Sequence, residues 1–386
     1  MKYQPFAKNL LLSAVVLGMS QSAFAVSDEE FNKLKEQFDL LADQVEDNSK
    51  SSTSSTTVGG YGELHYNNLS NSDNSKEKRE LDLHRFVIFV NHEFNENIRF
   101  FSEFEIEHGL LKDTDTDTNG APGNVDIDES NGEVEVEQAY VQFDVTDNTR
   151  INAGVFLIPV GILNETHEPP TFYGVERNPV EKNIIPVTWW EGGAMVSGIY
   201  DSGFSYDFAI TSGLDGGTSI RGGRQKTSKA TARNLAATVR VKYTGIRGLE
   251  LAGTVQVQDD MTQVSGDGVE GATLIETHAR WNVADFTVTG LFASWDIDGT
   301  AAALAGKGKQ DGGYLEVSYK LSPAFGIFAR QNKWDNGGIV DTSKSQTDFG
   351  FNYWPHEDVV IKADIQMQNN VAGDLDGFNL GIGYQF

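Results

Sequence analysis

The feature that most constrains this chain is a run of strand-length segments in which polar and apolar residues alternate, from residue 56 to the C-terminus. Segment 359–368 is an example, since Ile361, Ala363, Ile365 and Met367 are each flanked by polar residues. Alternate side chains of a β-strand lie on opposite faces, so each segment has one apolar and one polar face. We identify sixteen such segments, joined alternately by short turns and by longer polar loops. The pattern predicts an all-β fold, a sixteen-stranded antiparallel transmembrane β-barrel.

A soluble β-sandwich, propeller or lectin-like domain is the alternative fold, but it would have turns of mixed length. The acidic composition, with a net charge of -26, argues against a nucleic-acid partner, because such a surface must neutralise phosphates with Lys and Arg.

Residues 1–25 have the three parts of a secretory signal peptide. Lys2 and Lys8 are basic, residues 10–19 are apolar, and Ala23-Phe24-Ala25 is a small-residue cleavage site. An uncleaved anchor is the alternative, but ten apolar residues are too few to cross a bilayer as a helix. We therefore predict an exported protein.

A short helix is predicted over residues 26–47. Its apolar residues follow a heptad-like spacing: Phe31, Leu34, Phe38, Leu41 and Val45. This helix either self-associates in the periplasm as a short coiled coil or lies on the domain as an ordinary amphipathic helix. Residues 48–56 form a Ser/Thr-rich linker, and residues 57–386 form the barrel.

Residues 159–190 interrupt the alternation between the predicted fifth and sixth strands. They contain five of the nine prolines, and proline removes a ladder donor, so this segment is not a central strand. Its aromatic residues need a surface to pack on. We predict that the segment folds into the barrel and narrows it.

Charged side chains in three regions are candidates for the lining of that narrowed lumen. The candidate constriction residues are Glu165, His167, Glu168, Arg177, Glu181 and Lys182. The candidate acidic wall is Glu103, Glu105, Glu107, Glu133, Glu135 and Glu137. The candidate basic wall is Arg240, Lys242, Arg280, Lys320 and Lys362. A charged side chain that faced lipid would cost about 2–4 kcal/mol near the midplane. We therefore expect these side chains to line the lumen or to lie at the extracellular rim. Opposed walls would produce a transverse field; a solvated rim without a role in selectivity is the alternative.

The C-terminal strand ends on Tyr384 and Phe386, which resembles the insertion signal that the barrel-assembly machinery of Gram-negative bacteria reads. Longer stretches at residues 58–66, 84–108, 134–144 and 151–165 are similar to the phosphate-selective porin O and P family. The resemblance implies a homotrimer of sixteen-stranded barrels in outer-membrane lipid and lipopolysaccharide, with a constriction loop after the fifth strand.

The expected function is a passive diffusion channel for small hydrophilic solutes or ions. The predicted constriction segment has more acidic than basic residues, so we expect a broad or weakly cation-favouring channel. The alternatives are an anion-, phosphate- or dicarboxylate-selective channel, and a structural or adhesin barrel with a plugged lumen. A basic loop with Arg221, Arg224, Lys226 and Lys229 is expected outside the cell, where it could attract anions or lipopolysaccharide phosphates, or fold toward a neighbouring subunit.

Enzymatic activity is not expected, since the chain has no cysteine and no G-x-S-x-G motif. His65, His84, His92 and His108 lie near many glutamates but without tight metal-ligand spacing. We therefore predict no metal site and no cofactor.

Overall fold

The computed structural model describes residues 55–71, 76–109, 132–264, 270–370 and 374–386. The predicted signal peptide, the helix at 26–47 and nearly all of the linker lie outside the described residues. Sixteen strands are present: β1 Ser55–Ser70, β2 Glu77–Asn95, β3 Ile98–Glu107, β4 Val134–Thr146, β5 Thr149–Leu157, β6 Trp190–Ile199, β7 Phe204–Thr211, β8 Ala236–Tyr243, β9 Leu249–Gln258, β10 Ala272–Val283, β11 Phe286–Ile297, β12 Lys309–Ser322, β13 Phe325–Asp335, β14 Lys344–His356, β15 Val359–Asn370 and β16 Asp376–Gln385.

The strands form one closed antiparallel barrel in which each strand pairs with its neighbours in sequence. β1 pairs with β16, and Tyr61 lies opposite Gln385. Gly60 and Phe386 exchange two backbone hydrogen bonds of 2.9 Å. Closure removes both sheet edges, which would otherwise expose unpaired backbone groups. The predicted sixteen-stranded barrel is confirmed.

The two faces of the wall differ in chemistry. On β15, Lys362 and Asp364 point inward and are buried, whereas Ile361, Ile365 and Met367 point outward and are exposed. The same pattern on other strands covers the outside with exposed apolar side chains. A polar interior and an apolar exterior invert the arrangement of a soluble protein and match a barrel surrounded by lipid.

The connections alternate in length. Short turns lie at the end of the barrel that holds the start of β1 and the end of β16, and longer connections lie at the other end. Among the described residues, the longer ones contain two short α-helices, α1 (Pro179–Asn183) and α2 (Thr300–Ala305), and two 3-10 turns at Pro169–Thr171 and Arg221–Gly223. No helix in the described part of the chain is long and apolar enough to cross a membrane.

An apolar cluster lies inside the barrel, between the β5–β6 connection and the inner face of β10 to β13. From the wall it includes Leu274, Leu291 and Trp295, and from the connection Ile184 and Trp189. The Trp295 indole N–H donates to the Ile184 carbonyl over 2.8 Å. The wall is therefore not polar throughout its inner face, because one patch serves as the packing surface for the inserted connection.

Candidate functional site

The connection between β5 and β6, residues 158–189, enters the barrel; we call it the constriction loop. Wall side chains satisfy its backbone on several sides. Lys362 Nζ donates to Gly174 O over 2.9 Å, and Asn352 Nδ2 donates to Phe172 O over 2.9 Å. The Val175 N–H in turn donates to a wall carboxylate over 2.6 Å. Buried backbone groups need such partners, so these contacts make insertion of the loop possible and set its position.

Glu181, a predicted constriction residue, is fully buried. It lies in the first turn of the short helix α1, and its N–H donates to Oδ1 of the N-cap residue Asn178 over 2.9 Å. Its carboxylate accepts the backbone N–H groups of Ile162 and Leu163 over 2.9 and 2.6 Å, and the Tyr314 hydroxyl over 2.8 Å. Glu181 thus ties two parts of the loop together and joins both to β12.

Glu165 and His167 connect the loop to charged side chains of the wall. Glu165 pairs with Arg240 of β8, which also binds Asp207 Oδ2 over 2.7 Å. The His167 imidazole Nε2 lies 3.4 Å from Glu103 Oε1 and 3.5 Å from Glu137 Oε2. The structure therefore brings two predicted constriction residues into contact with both predicted walls.

The other predicted constriction residues are more open. Glu168 is half-buried, and its carboxylate has no hydrogen bond within the described residues. Lys182 is exposed. Arg177 is half-buried, and its Nε and Nη2 atoms have no hydrogen-bond partner in the described part of the chain.

The predicted acidic wall faces the inside of the barrel. Glu103, Glu105 and Glu137 are at most 1% exposed, while the adjacent residues Phe104 and Val136 point outward. The other three members are less enclosed: Glu107 and Glu135 are half-buried and Glu133 is exposed. These carboxylates therefore run from a buried inner cluster to the open end of the strands.

The side chains of the predicted basic wall are either paired with carboxylates, buried beneath the constriction loop, or open to a cavity. Arg240 is neutralised by its two carboxylates, and Lys362 is buried beneath the loop with its Nζ 3.5 Å from the centre of the Phe172 ring. Lys242 lies 3.8 Å from Glu250. Arg280 and Lys320 line a cavity of about 600 Å³. Only part of the predicted positive charge is therefore open to solutes.

The basic loop after β7 folds inward, onto the constriction loop. Arg221 Nη1 donates to Lys182 O and Val187 O over 2.9 and 2.8 Å. Arg224 donates to the Thr188 carbonyl. Lys229 is exposed. This loop was expected to lie outside the cell. Arg221 and Arg224 instead contact the constriction loop and help to hold it in place.

Lys226 of the same loop carries a positive charge to the acidic wall. Its Nζ contacts the carboxylates of Glu133 and Glu135. Burial alone would lower the pKa of Lys226, but hydrogen bonds to these two glutamates outweigh burial and raise the pKa above its usual range. Lys226 therefore stays charged and neutralises part of the wall.

A cavity of about 240 Å³ remains between the constriction loop and strands β2 and β3. Five cationic, four anionic and two histidine side chains line it, together with one valine: Lys78, Arg85, Arg177, Lys182, Arg221, Glu80, Asp82, Glu107, Glu176, His84, His108 and Val187. A solute in this space lies within reach of many fixed charges, which is the arrangement that gives channels their selectivity.

Several groups within the described residues have the composition of metal ligands. In each, the candidate ligand atoms lie within 4.8 Å of one another. The groups are His65, His84 and Glu176; Asp82, His84 and His108; Glu103, Glu137 and His167; and His356, Glu357 and Asp358. Three of the four histidines considered in the sequence are among them, and His92 instead contacts the Thr56 hydroxyl. Strand pairing and loop insertion assemble the first three groups, so linear spacing did not reveal them, whereas His356, Glu357 and Asp358 are consecutive in the sequence.

A protein of Aquifex aeolicus (strain VF5), described as uncharacterized, is 30% identical over 367 residues, which cover 86% of this chain and 80% of that protein. The chain belongs to the same family as this Aquifex protein. No family model matches the sequence.

Solved structures share the barrel. The anion-selective porin from Comamonas acidovorans has a TM-score of 0.59 at 12% identity, over 86% of this chain and 100% of that chain. The outer membrane channel DcaP of Acinetobacter baumannii has a TM-score of 0.57 at 12% identity, over 87% and 98%. OmpT of Vibrio cholerae has a TM-score of 0.57 at 10% identity, over 87% and 98%. At these identities the likeness shows the fold, an outer-membrane barrel.

Proposed function

We propose that the protein is an outer-membrane porin, a passive diffusion channel for small hydrophilic solutes or ions. One observation carries the proposal: a closed sixteen-stranded barrel with an apolar exterior holds an inserted loop beside charged, solvent-accessible cavities. A barrel of this size has a lumen that side chains of the wall alone do not fill. Catalysis is not part of the proposal.

The proposed assembly is a homotrimer in the outer membrane. An OmpT structure described as a trimer form shares this fold with a TM-score of 0.56. The resemblance to the phosphate-selective porin O and P family supports the same assembly. Outer-membrane lipid, lipopolysaccharide and the barrel-assembly machinery are the proposed partners of the barrel.

Cysteine labelling tests the permeation path, because the native chain has no cysteine. Lys182→Cys places one thiol on an exposed position of the constriction loop. Leu315→Cys places one on the outer face of β12, where the native side chain is 55% exposed. In planar bilayers we expect stepwise conductance, and a charged thiol reagent should reduce it for Lys182→Cys but not for Leu315→Cys.

Two results of this labelling experiment would contradict the proposed permeation path. Absence of conductance from correctly folded protein would favour the plugged structural or adhesin barrel. Conductance that is insensitive to labelled Lys182→Cys would mean that solutes do not pass this part of the loop.

A second candidate function is preference for anions, such as phosphate or dicarboxylates. It rests on the inward fold of the basic loop, which places Arg221 beside Arg177 and Lys182 at the same cavity. Arg85 and Lys226 meanwhile neutralise part of the acidic wall. The neighbour described as an anion-selective porin has the same fold. The unneutralised charge at the cavity would then be positive, against the weak cation preference expected from the loop's own composition.

Reversal potentials in a KCl gradient decide between the two preferences. Anion preference predicts a chloride-favouring potential that moves toward potassium when Arg177 and Arg221 are both replaced by Gln. Arg233→Gln is the matched control, because Arg233 belongs to the same basic loop and is exposed. A potassium-favouring potential in the native channel would reject anion preference and retain the broad or cation-favouring channel.

A further inference from the structure

A buried group at the contact between the constriction loop and the acidic wall has the features of a metal site. We propose that Glu103, Glu137 and His167 bind one divalent metal ion of the Zn²⁺ class, which holds the loop against the wall. The site does not depend on which solute the barrel conducts.

The ligand spacing fits a tetrahedral ion. His167 Nε2 is 3.4 Å from Glu103 Oε1 and 3.5 Å from Glu137 Oε2. Zinc bound at about 2.0–2.2 Å places tetrahedral ligand atoms about 3.3–3.6 Å apart. The three residues are 1%, 1% and 3% exposed, as expected for a closed structural site. All three ligand atoms lie within 4.8 Å of one another.

The position of the His167 ring aims Nε2 at both carboxylates. Its Nδ1 lies 3.3 Å from the Asn164 carbonyl, and a carbonyl only accepts, so the Nδ1–H donates. Nε2 of the neutral ring is then unprotonated and faces two carboxylates, and it has no hydrogen-bond partner in the described part of the chain. A histidine that donates one N–H to a backbone carbonyl and presents the other nitrogen to a cluster of acids is typical of a metal ligand.

The outer oxygens of both carboxylates are already held by neighbours. Gln138 Nε2 donates to Glu103 Oε2 over 2.7 Å, and Thr188 Oγ1 donates to Glu137 Oε1 over 2.8 Å. Glu137 Oε2, the oxygen nearest His167, has no hydrogen-bond partner within the described residues. These contacts leave Glu137 Oε2 and Glu103 Oε1 facing His167 Nε2, and Glu103 Oε1 also accepts the Tyr61 hydroxyl over 3.3 Å.

The charge of the surrounding cluster favours a dication. Glu105 is fully buried beside this group, and neither of its carboxylate oxygens has a hydrogen-bond partner in the described part of the chain. The Arg85 guanidinium lies 3.8 Å from Glu105 Oε1. Arg85 is shared with Glu63, whose carboxylate it binds over 2.7 Å. Buried carboxylates require compensating positive charge. A divalent ion supplies two charges there, whereas a proton on His167 supplies one.

Two other histidine groups in the barrel differ from the proposed metal site in the contacts of their ring nitrogens. His278 faces one glutamate on each nitrogen, Glu276 at 2.7 Å and Glu250 at 3.6 Å, which suits a protonated ring and leaves no nitrogen for a metal. At the cavity, Asp82 already hydrogen-bonds His84 and His108 over 3.1 and 2.9 Å. His278 is therefore the matched control, and the group around His84 is the rival metal site.

Zinc titration of folded, EDTA-treated full-length protein tests the proposal. We expect one tightly bound Zn²⁺ per chain by calorimetry and by metal analysis. Binding should weaken at least about tenfold in His167→Gln and in Glu137→Gln, and stay unchanged in His278→Gln and His84→Gln. Native protein that binds no zinc, native affinity in folded His167→Gln, or loss of binding in His84→Gln would each overturn the assignment.

A measurement on the native protein keeps the test independent of variant folding. X-ray absorption at the zinc edge should show oxygen donors and a single imidazole. A shell with two imidazoles would assign the ion to one of the two groups that contain His84, either His65, His84 and Glu176 or Asp82, His84 and His108, and would overturn the proposal.

Discussion

Replacing Glu181 by alanine should detach the constriction loop from the inside of the barrel and leave the barrel closed. The carboxylate is fully buried and accepts hydrogen bonds from the backbone of Ile162 and Leu163, from Tyr314 and from the Asn178 amide at 3.2 Å. None of these bonds belongs to the strand ladder, so their loss acts on the loop.

The size of the effect follows from these contacts. A hydrogen bond to a charged group contributes about 1.5–3 kcal/mol, and each buried donor left without a partner costs about 1–3 kcal/mol. The recovered hydration of the removed carboxylate offsets part of this loss. We expect a net loss of about 3–6 kcal/mol in the free energy that holds the loop in place. A loss of 3 kcal/mol raises the ratio of detached to attached loop more than about 100-fold.

Limited proteolysis and single-channel recording measure this change together. Glu181→Ala should be cleaved within residues 158–189 faster than the native protein, and its open-channel current should be larger and noisier. Glu168→Ala is the matched control, because the Glu168 carboxylate lies on the same loop without a hydrogen bond among the described residues. If Glu181→Ala kept native protection and native current, the carboxylate would not be what holds the loop.

Three further predictions follow from the wall. Arg240→Gln leaves two lumen carboxylates without their cation, so the reversal potential should move in the cation-selective direction. Arg240→Lys should restore most of the native value. An unchanged reversal potential in Arg240→Gln would show that Arg240 does not act on permeating ions. Trp295→Phe leaves the buried Ile184 carbonyl without its 2.8 Å donor. The loss should weaken attachment of the constriction loop by about 1–3 kcal/mol and make its proteolysis faster. Native protection from the protease would contradict this prediction. Leu315→Arg puts a charge on the exposed outer face of β12, so folded yield in lipid should fall by the equivalent of about 2–4 kcal/mol if the position is near the midplane. Leu315→Ile should fold normally, and equal yields would argue against lipid at this face.

The strands could be predicted from the sequence because the barrel separates two solvents. Lipid outside and water inside select opposite side chains at successive positions, as with Lys362 between Ile361 and Ala363. Residues 159–190 form a long proline-rich gap in that alternation, and they fall between β5 and β6. Neither prediction required knowledge of any specific contact.

The contacts that shape the lumen could not be predicted in this way. Glu181 and Tyr314 are 133 residues apart, and no local pattern distinguishes a glutamate that binds a loop from one that meets a solute. Leu274 and Ile275 did contain a signal, since two successive apolar residues in a barrel strand indicate that its inner face is also covered. Leu274 is fully buried against the constriction loop.

The sequence by itself determined the barrel, its strand number and order, and the connection that enters it, because side-chain alternation is a local response to lipid and water. Only the tertiary structure decided which charges neutralise one another. Arg221 and Lys226 reach the constriction loop and the acidic wall because the closed sheet brings distant connections over one lumen. The balance of charge in that lumen is set by pairing across space, where electrostatic energy depends on distance and burial and not on separation along the chain.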